Sequence, residues 1–356
     1  MSLAYEILPL TLVTGFLGSG KSTLLADVLQ GDAARDTAVL VNEFGDVGLD
    51  HLLIGEVDAR TVLLDNGCVC CSIRGELKDA LATLFSQRAR GKTPAFSRVV
   101  LETTGLATPA PIIATLLGDP VIRSHYALNA TITVVDAVNA REQHARYPEW
   151  LAQVTAADRL LISKPDLVDQ TTLTDLAVVL TALNPTAQIL VRGNASHAQG
   201  IDGHSGRALL DALFASASST DLVMRMGRVR RHAAVNGGPL AHRGEQASSI
   251  HSFCMQIDTP LDWQVFTLWF TLLLNRHGGK ILRVKGLLDI ADSDRPAVLH
   301  AVQHLVHPVL HLQAWPQADE ASQRCSRLVF IAEGLSRDAI EASYARFRHH
   351  LEDTGR

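Results

Sequence analysis

The sequence predicts an α/β protein in two parts, a mainly parallel sheet with helices on both faces and then a smaller α+β domain. Three observations lead there. Short runs of Val, Ile and Leu recur through the first half of the chain, most of them separated by stretches long enough for a helix. Those runs are continuous rather than alternating, as strands covered by helices on both sides are. Beyond them the composition shifts and a differently patterned second half begins. A chain of 356 residues is too long for one typical domain and suits two.

In chain order the strand-like runs are Leu10–Val13, Ala38–Val41, Val62–Leu64, Val99–Leu101, Ile132–Val135, Leu160–Ile162 and Gln188–Val191. Around Ala215–Ser219 the sequence turns to Ala and Ser. From Arg225 to Ser249 it becomes basic, Gly-containing and poor in apolar periodicity, with His232 and His242, which reads as an interdomain linker. The expected boundaries are 1–222 for the first domain, 223–249 for the linker and 250–356 for the second. In that second domain Ser252–Ile257 reads as a strand, Asp262–Leu274 as an amphipathic helix, Ile281–Ile290 as a strand or hairpin and Ala297–Leu305 as a helix. Arg327–Ile331 reads as a strand and Ser336–Leu351 as a closing helix.

Immediately after the first strand, Gly15, Phe16, Leu17, Gly18, Ser19, Gly20, Lys21, Ser22 and Thr23 fit the pattern G-x-x-x-x-G-K-[ST], and a helical run, Ser22–Leu29, follows. Phosphate oxygens must be met by several backbone N–H groups at once, and a Gly-rich turn opening a helix N-terminus supplies them. Lys21 is then expected to reach the β- and γ-phosphates and Ser22 to hold Mg²⁺. The first domain is therefore expected to be of the P-loop NTPase kind. At the end of the fourth strand comes Glu102-Thr103-Thr104-Gly105, where a Mg²⁺ or γ-phosphate sensor belongs. Glu102 also reads as a turn or N-cap carboxylate. At the end of the sixth strand, Ser163-Lys164-Pro165-Asp166 resembles the guanine-reading Asn-Lys-x-Asp of GTPases, with Ser in place of Asn. Asp166 can accept from the guanine ring N–H and amino group, and the Lys164 stem can cover the base.

Five cysteines occur in the chain, and three of them, Cys68, Cys70 and Cys71, fall within four positions after Asn66-Gly67. In an extended segment Cys68 and Cys70 project to one side, and a twist turns Cys71 inward, giving up to three thiolates for one soft or borderline ion. Three sulfurs leave a fourth tetrahedral position open, which suits a site that releases its metal. A redox pair and small buried cysteines are the competing readings. The segment 42–50, NEFGDVGLD, follows the second strand and resembles a switch loop. Glu43 or Asp50 there can approach Mg²⁺ or add oxygen to the thiolate site, and each also reads as a solvated acidic turn. His300 and His304, at i and i+4 with His307 and His311 beyond, would share a helix face only up to Pro308, and solvated or capping histidines fit as well.

A net charge of −5, with Lys and Arg spread along the chain, gives no footprint for a phosphate backbone, so nucleic acid is not expected as a partner. The longest apolar stretch, Trp263–Leu274, is too short and interrupted to span a bilayer, and no secretory pattern opens the chain. Clustered, odd-numbered cysteines argue against a disulfide framework, so a cytoplasmic location is expected.

Taken in order and spacing, GFLGSGKST, VNEFGDVGLD, the CVCC tetrad, ETTG, Val134-Val135-Asp136 and SKPD resemble the CobW-like branch of the metal-handling P-loop GTPases. Lys280–Leu305 and Arg327–Ile331 resemble that family's C-terminal domain. The resemblance implies a GTPase that uses Mg²⁺ and carries zinc, or in some branches cobalt or iron, to a client metalloprotein. It places phosphates and Mg²⁺ on Gly15–Thr23, metal on Cys68, Cys70 and Cys71, and guanine on Lys164 and Asp166. It leaves a homo-oligomer open. Three departures stand out: Ser163 for the guanine-reading Asn, a linker poor in histidine, and Val41 before NEFG where some relatives place a metal-binding Glu. No arginine finger or water-positioning Gln is visible in these motifs, so hydrolysis is expected to be slow without a partner. A nucleotide-gated metal sensor and an ATP-using small-molecule kinase are the rival classes. Metal-stimulated GTP turnover separates the first, and preference for ATP would favour the second.

Overall fold

The computed structural model describes residues 7–30, 36–42, 61–64, 73–93, 95–193, 202–204, 206–215, 225, 250–315 and 324–354. The chain divides into two compact units, residues 1–178 with 188–216, and residues 179–187 with 217–356. Apart from Arg225, the expected linker 223–249 lies outside the described residues.

In the first unit the elements run β1 (Leu8–Gly15), α1 (Lys21–Gln30), β2 (Thr37–Asn42), β3 (Thr61–Leu64), α2 (Ile73–Ala89), β4 (Arg98–Glu102), α3 (Pro109–Gly118) and α4 (Pro120–His125). They continue with β5 (Tyr126–Asp136), α5 (Ala140–Arg146), α6 (Pro148–Ala156), β6 (Arg159–Ser163), α7 (Gln170–Leu183, of which residues 179–183 group with the second unit), β7 (Gln188–Arg192), β8 (Asp202–His204) and α8 (Gly206–Phe214). The strands form one sheet in the order β3-β2-β4-β1-β5-β6-β7-β8, and every pairing in it is parallel. Each strand run read from the sequence is a strand of one of the two sheets.

Apolar runs become strands here because both faces are covered. Val13, Val39, Val100, Ile132, Leu161 and Leu190 pack with Leu24 and Leu25 of α1 and Leu209, Leu210 and Leu213 of α8. On the other face, α6 lies against β5, where the buried Thr133 hydroxyl donates to Gln153 O at 2.7 Å. Burying each such Leu or Val side chain contributes about 1.5–3 kcal/mol relative to exposure. With all strands parallel, every strand's C-terminal end meets one edge of the sheet, and ligands of open α/β sheets bind along that edge.

The second unit is an antiparallel sheet in the order β12-β11-β10-β14-β9. Its elements are β9 (Ile250–Ile257), α9 (Trp263–His277), β10 (Ile281–Leu288), β11 (Ala297–Val302), β12 (Leu305–Val306), β13 (Leu310–His311), β14 (Ser326–Glu333) and α10 (Arg337–Thr354). One face of this sheet packs Phe253, Met255, Leu328 and Phe330 on Phe266, Trp269 and Phe270 of α9 and on Ile340 and Tyr344 of α10. Asp262 starts α9 by accepting from Gln264 N and Val265 N at 2.9 and 3.0 Å.

The expected helix over Ala297–Leu305 is a strand instead. Residues 297–302 form β11, paired antiparallel with 283–288, and the chain turns at Gln303 (φ 52) into β12. A six-residue ladder to β10 outweighs the helical spacing of the apolar residues. His300 and His304 therefore share no helix face. His304 Nδ1 lies 2.9 Å from Leu274 O at the end of α9, and the His300 and His307 rings stand 5.9 Å apart. Among the described residues no three His, Cys, Asp or Glu side chains gather as a metal site, and no helix is long and apolar enough to cross a membrane.

Candidate functional site

The sheet edge is built around the loop between β1 and α1. Gly15 (φ 145) closes β1 where a Cβ would stand 2.4 Å from Val134 O of β5, so only glycine lets the two strands approach. Gly18 (φ 70) and Gly20 (φ 95) take left-handed conformations that turn the loop into α1. Lys21 is buried, and its ammonium turns back onto the loop to donate to Gly15 O at 2.8 Å and Phe16 O at 3.2 Å. Ser22 is half-buried at the first turn of α1, and Leu17 and Thr23 are exposed. Among the described residues the buried Ser19 hydroxyl has no hydrogen-bond partner, an orphan polar atom inside the loop.

Beside this loop, β4 ends in Glu102, a buried carboxylate in register with Val13 of β1 and Val41 of β2. Thr103 N donates to Val13 O at 2.9 Å and its hydroxyl to that of Thr14 at 2.8 Å, so the turn leaves the sheet against the loop. Gly105 presses on it: a Cβ there would stand 2.6 Å from Leu17 Cδ2, 2.7 Å from Leu17 N and 2.8 Å from Leu17 Cα. From the other side Gln153, fully buried on α6, donates its amide to Gly105 O and Ala107 O, each at 3.0 Å. Sequence reading did not single out Gln153, whose partners lie more than forty residues upstream.

Across β5, the ends of β6 and β7 form the third wall. Ser163, buried, donates to Ser19 O at 2.6 Å, with Val135 O 3.2 Å away, so its hydroxyl is tied to the phosphate-type loop. Lys164 takes a left-handed backbone (φ 55), and its ammonium bridges Gly18 O and Asp136 Oδ2, both at 2.8 Å. Asp136 also accepts from Asn139 Nδ2 and Val138 N, at 2.8 and 2.9 Å. Burial would raise its carboxyl, but the hydrogen bonds from Lys164, Asn139 and Val138 and the Lys164 charge outweigh burial and hold it below the usual carboxylate range. The sequence signal for Asp136 is the one that picked out Glu102, a carboxylate ending a buried apolar strand.

Asp166 is exposed in a short 3₁₀ turn, Pro165–Leu167. It lines a cavity of about 570 Å³ together with Lys164, with Gly20 and Thr23 from the loop and α1, and with Arg192 and Gly193 from the end of β7. The structure thus brings Gly15–Thr23, Glu102, Gly105, Lys164 and Asp166 to one edge. Glu43, Asp50, Cys68, Cys70 and Cys71 lie outside the described residues. The strands before them, β2 and β3, both end at this same edge.

Two domain profiles match the chain. One, described as the CobW/HypB/UreG nucleotide-binding domain, matches residues 9–191. The other, the cobalamin synthesis protein cobW C-terminal domain, matches residues 250–348. The chain is 33% identical over 341 residues to the zinc chaperone YjiA of Escherichia coli, covering 95% of this chain and 98% of YjiA. It is 30% identical over 353 residues to the zinc chaperone CobW of Pseudomonas aeruginosa, covering 94% of this chain and 89% of that one. It also matches zinc-regulated GTPase metalloprotein activator 1 of Schizosaccharomyces pombe, at 33% identity over 51% of this chain and 45% of the other. Among solved structures, the Zn(II)-bound YjiA GTPase from Escherichia coli superposes with a TM-score of 0.67 at 26% identity, covering 96% of this chain and 99% of that one. With its phosphate-type loop, its strand-end carboxylates and both domain matches in their expected order, the chain belongs to the CobW/HypB/UreG family of nucleotide-binding proteins and carries the CobW C-terminal domain.

Proposed function

We propose that this protein is a GTP-hydrolysing zinc chaperone that loads a client metalloprotein from a cytoplasmic, reducing compartment. One observation carries the reading: a phosphate-type loop and a base-side Lys164-Pro165-Asp166 segment share one sheet edge in a chain similar over 95% of its length to a named zinc chaperone.

Lys21 exchanges the Gly15 and Phe16 carbonyls for β- and γ-phosphate oxygens, and the backbone N–H groups of the loop meet the remaining oxygens. Ser22 and Glu102 are oxygen donors, the chemistry that a hard dication takes, and they would hold Mg²⁺. Mg²⁺, when bound, neutralises charge on the β- and γ-phosphates. The water oxygen bonds to the γ-phosphorus as the β–γ bridging bond breaks, giving GDP and phosphate. Asp166 accepts from the guanine N1–H and amino group, two donors on an edge that adenine does not share. Cys68, Cys70 and Cys71, with Glu43 or Asp50 as an oxygen donor, are the residues proposed for the zinc cargo.

Competitive zinc titration against a chromophoric chelator tests this, with Mg²⁺-GTP, Mg²⁺-GDP or no nucleotide, on wild type and on a variant with Cys68, Cys70 and Cys71 all changed to Ser. Tight binding of one ion that needs the cysteines and shifts with the nucleotide is the expected result. Binding that survives their loss, or cobalt or iron outcompeting zinc, overturns the assignment of site or cargo.

A further inference from the structure

We propose that Arg192 reads the O6/N7 edge of guanine in this protein, supplying the donors that Ser163 cannot. The inference deepens the base-side reading above and rests on it.

Where the guanine-reading motif has Asn, with two amide N–H donors, Ser163 has a single hydroxyl proton. That proton is committed to Ser19 O at 2.6 Å, and Ser163 is only 2% exposed. Ser163 therefore fastens the β6 end to the phosphate-type loop and leaves the base without its donor from this position. The neighbouring strand fills the gap. Ile162 pairs with Val191, so Ser163 and Arg192 are the next residues on two parallel strands and leave the sheet side by side. Arg192 lines the same cavity as Asp166, and its Nη2 donates to Asp27 Oδ2 of α1 at 2.6 Å. A guanidinium carries five N–H donors in a rigid fork. The bond to Asp27 holds that fork and, among the described residues, leaves its remaining donors for a ligand in the cavity.

Guanine presents two adjacent acceptors, O6 and N7, and a guanidinium matches them in bidentate fashion, whereas adenine puts an amino donor where O6 would be. Asp166 and Arg192 thus read adjoining edges of the base, the carboxylate taking donors and the guanidinium giving them. Adenine is mismatched at both.

The test measures affinities of wild type, Arg192→Met and Arg192→Lys for Mg²⁺ complexes of GTP, 7-deaza-GTP, which lacks the N7 acceptor, and inosine triphosphate, which lacks only the 2-amino group. Wild type should bind 7-deaza-GTP on the order of tenfold more weakly than GTP. Arg192→Met should bind GTP correspondingly more weakly and lose the discrimination against 7-deaza-GTP, while still penalising inosine triphosphate through Asp166. Arg192→Lys, with one point charge, should recover part of the GTP affinity. Equal wild-type affinity for GTP and 7-deaza-GTP overturns the proposal whether or not the variants fold. So does an unchanged ratio in Arg192→Met, which would assign N7 to a backbone donor and leave Arg192 only a clamp between β7 and α1. Failure of the base-side reading has its own signature, equal wild-type affinity for GTP, inosine triphosphate and ATP.

Discussion

Gly105 offers a severe test of the reasoning, because nothing but space demands glycine there. Its backbone φ is ordinary for any residue, yet a Cβ would meet Leu17 N at 2.7 Å and Leu17 Cα at 2.8 Å. The Leu17 side chain is exposed and can swing aside, but the backbone N and Cα move only if the loop itself moves. Ordinary contact begins near 3.4 Å, so Gly105→Ala must push the turn and the loop apart by about 0.7 Å. Overpacking of this kind costs about 1–3 kcal/mol, a drop in melting temperature of roughly 2–12 °C for a unit of this size. Misplacing the groups around the phosphates by most of an ångström should lower kcat/KM for GTP on the order of ten- to a hundredfold. Gly118→Ala is the control: an exposed residue at the end of α3 with nothing within 4 Å of its Cβ position among the described residues, where Ala should be neutral or stabilising by up to about 1 kcal/mol. Thermal unfolding and steady-state phosphate release on both variants decide the matter. A Gly105→Ala protein that melts within a degree of wild type and hydrolyses GTP at the wild-type rate refutes the claimed contact.

The same turn can be loosened from its other side. Gln153→Leu removes the amide that serves Gly105 O and Ala107 O, should cost about 2–4 kcal/mol, and would be read by urea denaturation. Lys164→Met removes the cation that bridges Gly18 O and Asp136. Because the folded Asp136 carboxyl is held low, its stabilisation is present above the ordinary carboxylate pKa and lost as pH falls through the lower folded value. The stability gap between wild type and variant should therefore narrow below about pH 4, and a gap that stays constant from pH 7 to pH 3 would remove this ion pair from the explanation. In the second unit, Asp262→Ala strips the cap from α9 and should lower stability by about 1 kcal/mol without altering GTP turnover.

What the sequence makes legible follows from how local each signal is. The parallel strands are visible because burial on both faces leaves unbroken Val, Ile and Leu runs such as Leu160–Ile162, and the phosphate-type loop because its glycines, lysine and serine are contiguous. The start of α9 is visible because Asp262 caps the helix it begins. Ala297–Val302 misleads because its apolar spacing fits a helix, while the cause of its strand, the ladder to Arg283–Leu288, is non-local. Gln153 is invisible for a related reason: its role is set by Gly105 and Ala107, and nothing in residues 148–156 announces it. Ser163 is legible as a departure from the guanine-reading pattern, but its consequence needs the structure, which ties its one proton to Ser19 O.

Strand order also says which parts of the site can speak to the cysteines. Reading β3-β2-β4-β1-β5-β6-β7, the phosphate loop follows β1, the Glu102–Gly105 turn follows its neighbour β4, the Glu43–Asp50 segment follows β2, and the cysteine segment follows β3. From β1 to β3 is three strand spacings, about 14 Å at roughly 4.8 Å each. Every intermediate strand on that path ends in a segment carrying a carboxylate or a glycine turn. The residues proposed to read the base, Asp166 and Arg192, follow β6 and β7 on the opposite side of β1, beyond β5. Under the proposed function, the state of the γ-phosphate then reaches the zinc thiolates through the turn after β4 and the segment after β2, and base contacts set only how tightly nucleotide binds. Gly105→Ala should accordingly flatten the difference in zinc affinity between the Mg²⁺-GTP and Mg²⁺-GDP states at saturating nucleotide. Asp166→Asn and Arg192→Met should preserve that difference once nucleotide is raised to compensate their weaker binding. If the base-side variants abolish the difference while Gly105→Ala keeps it, the coupling runs through some route other than this sheet edge.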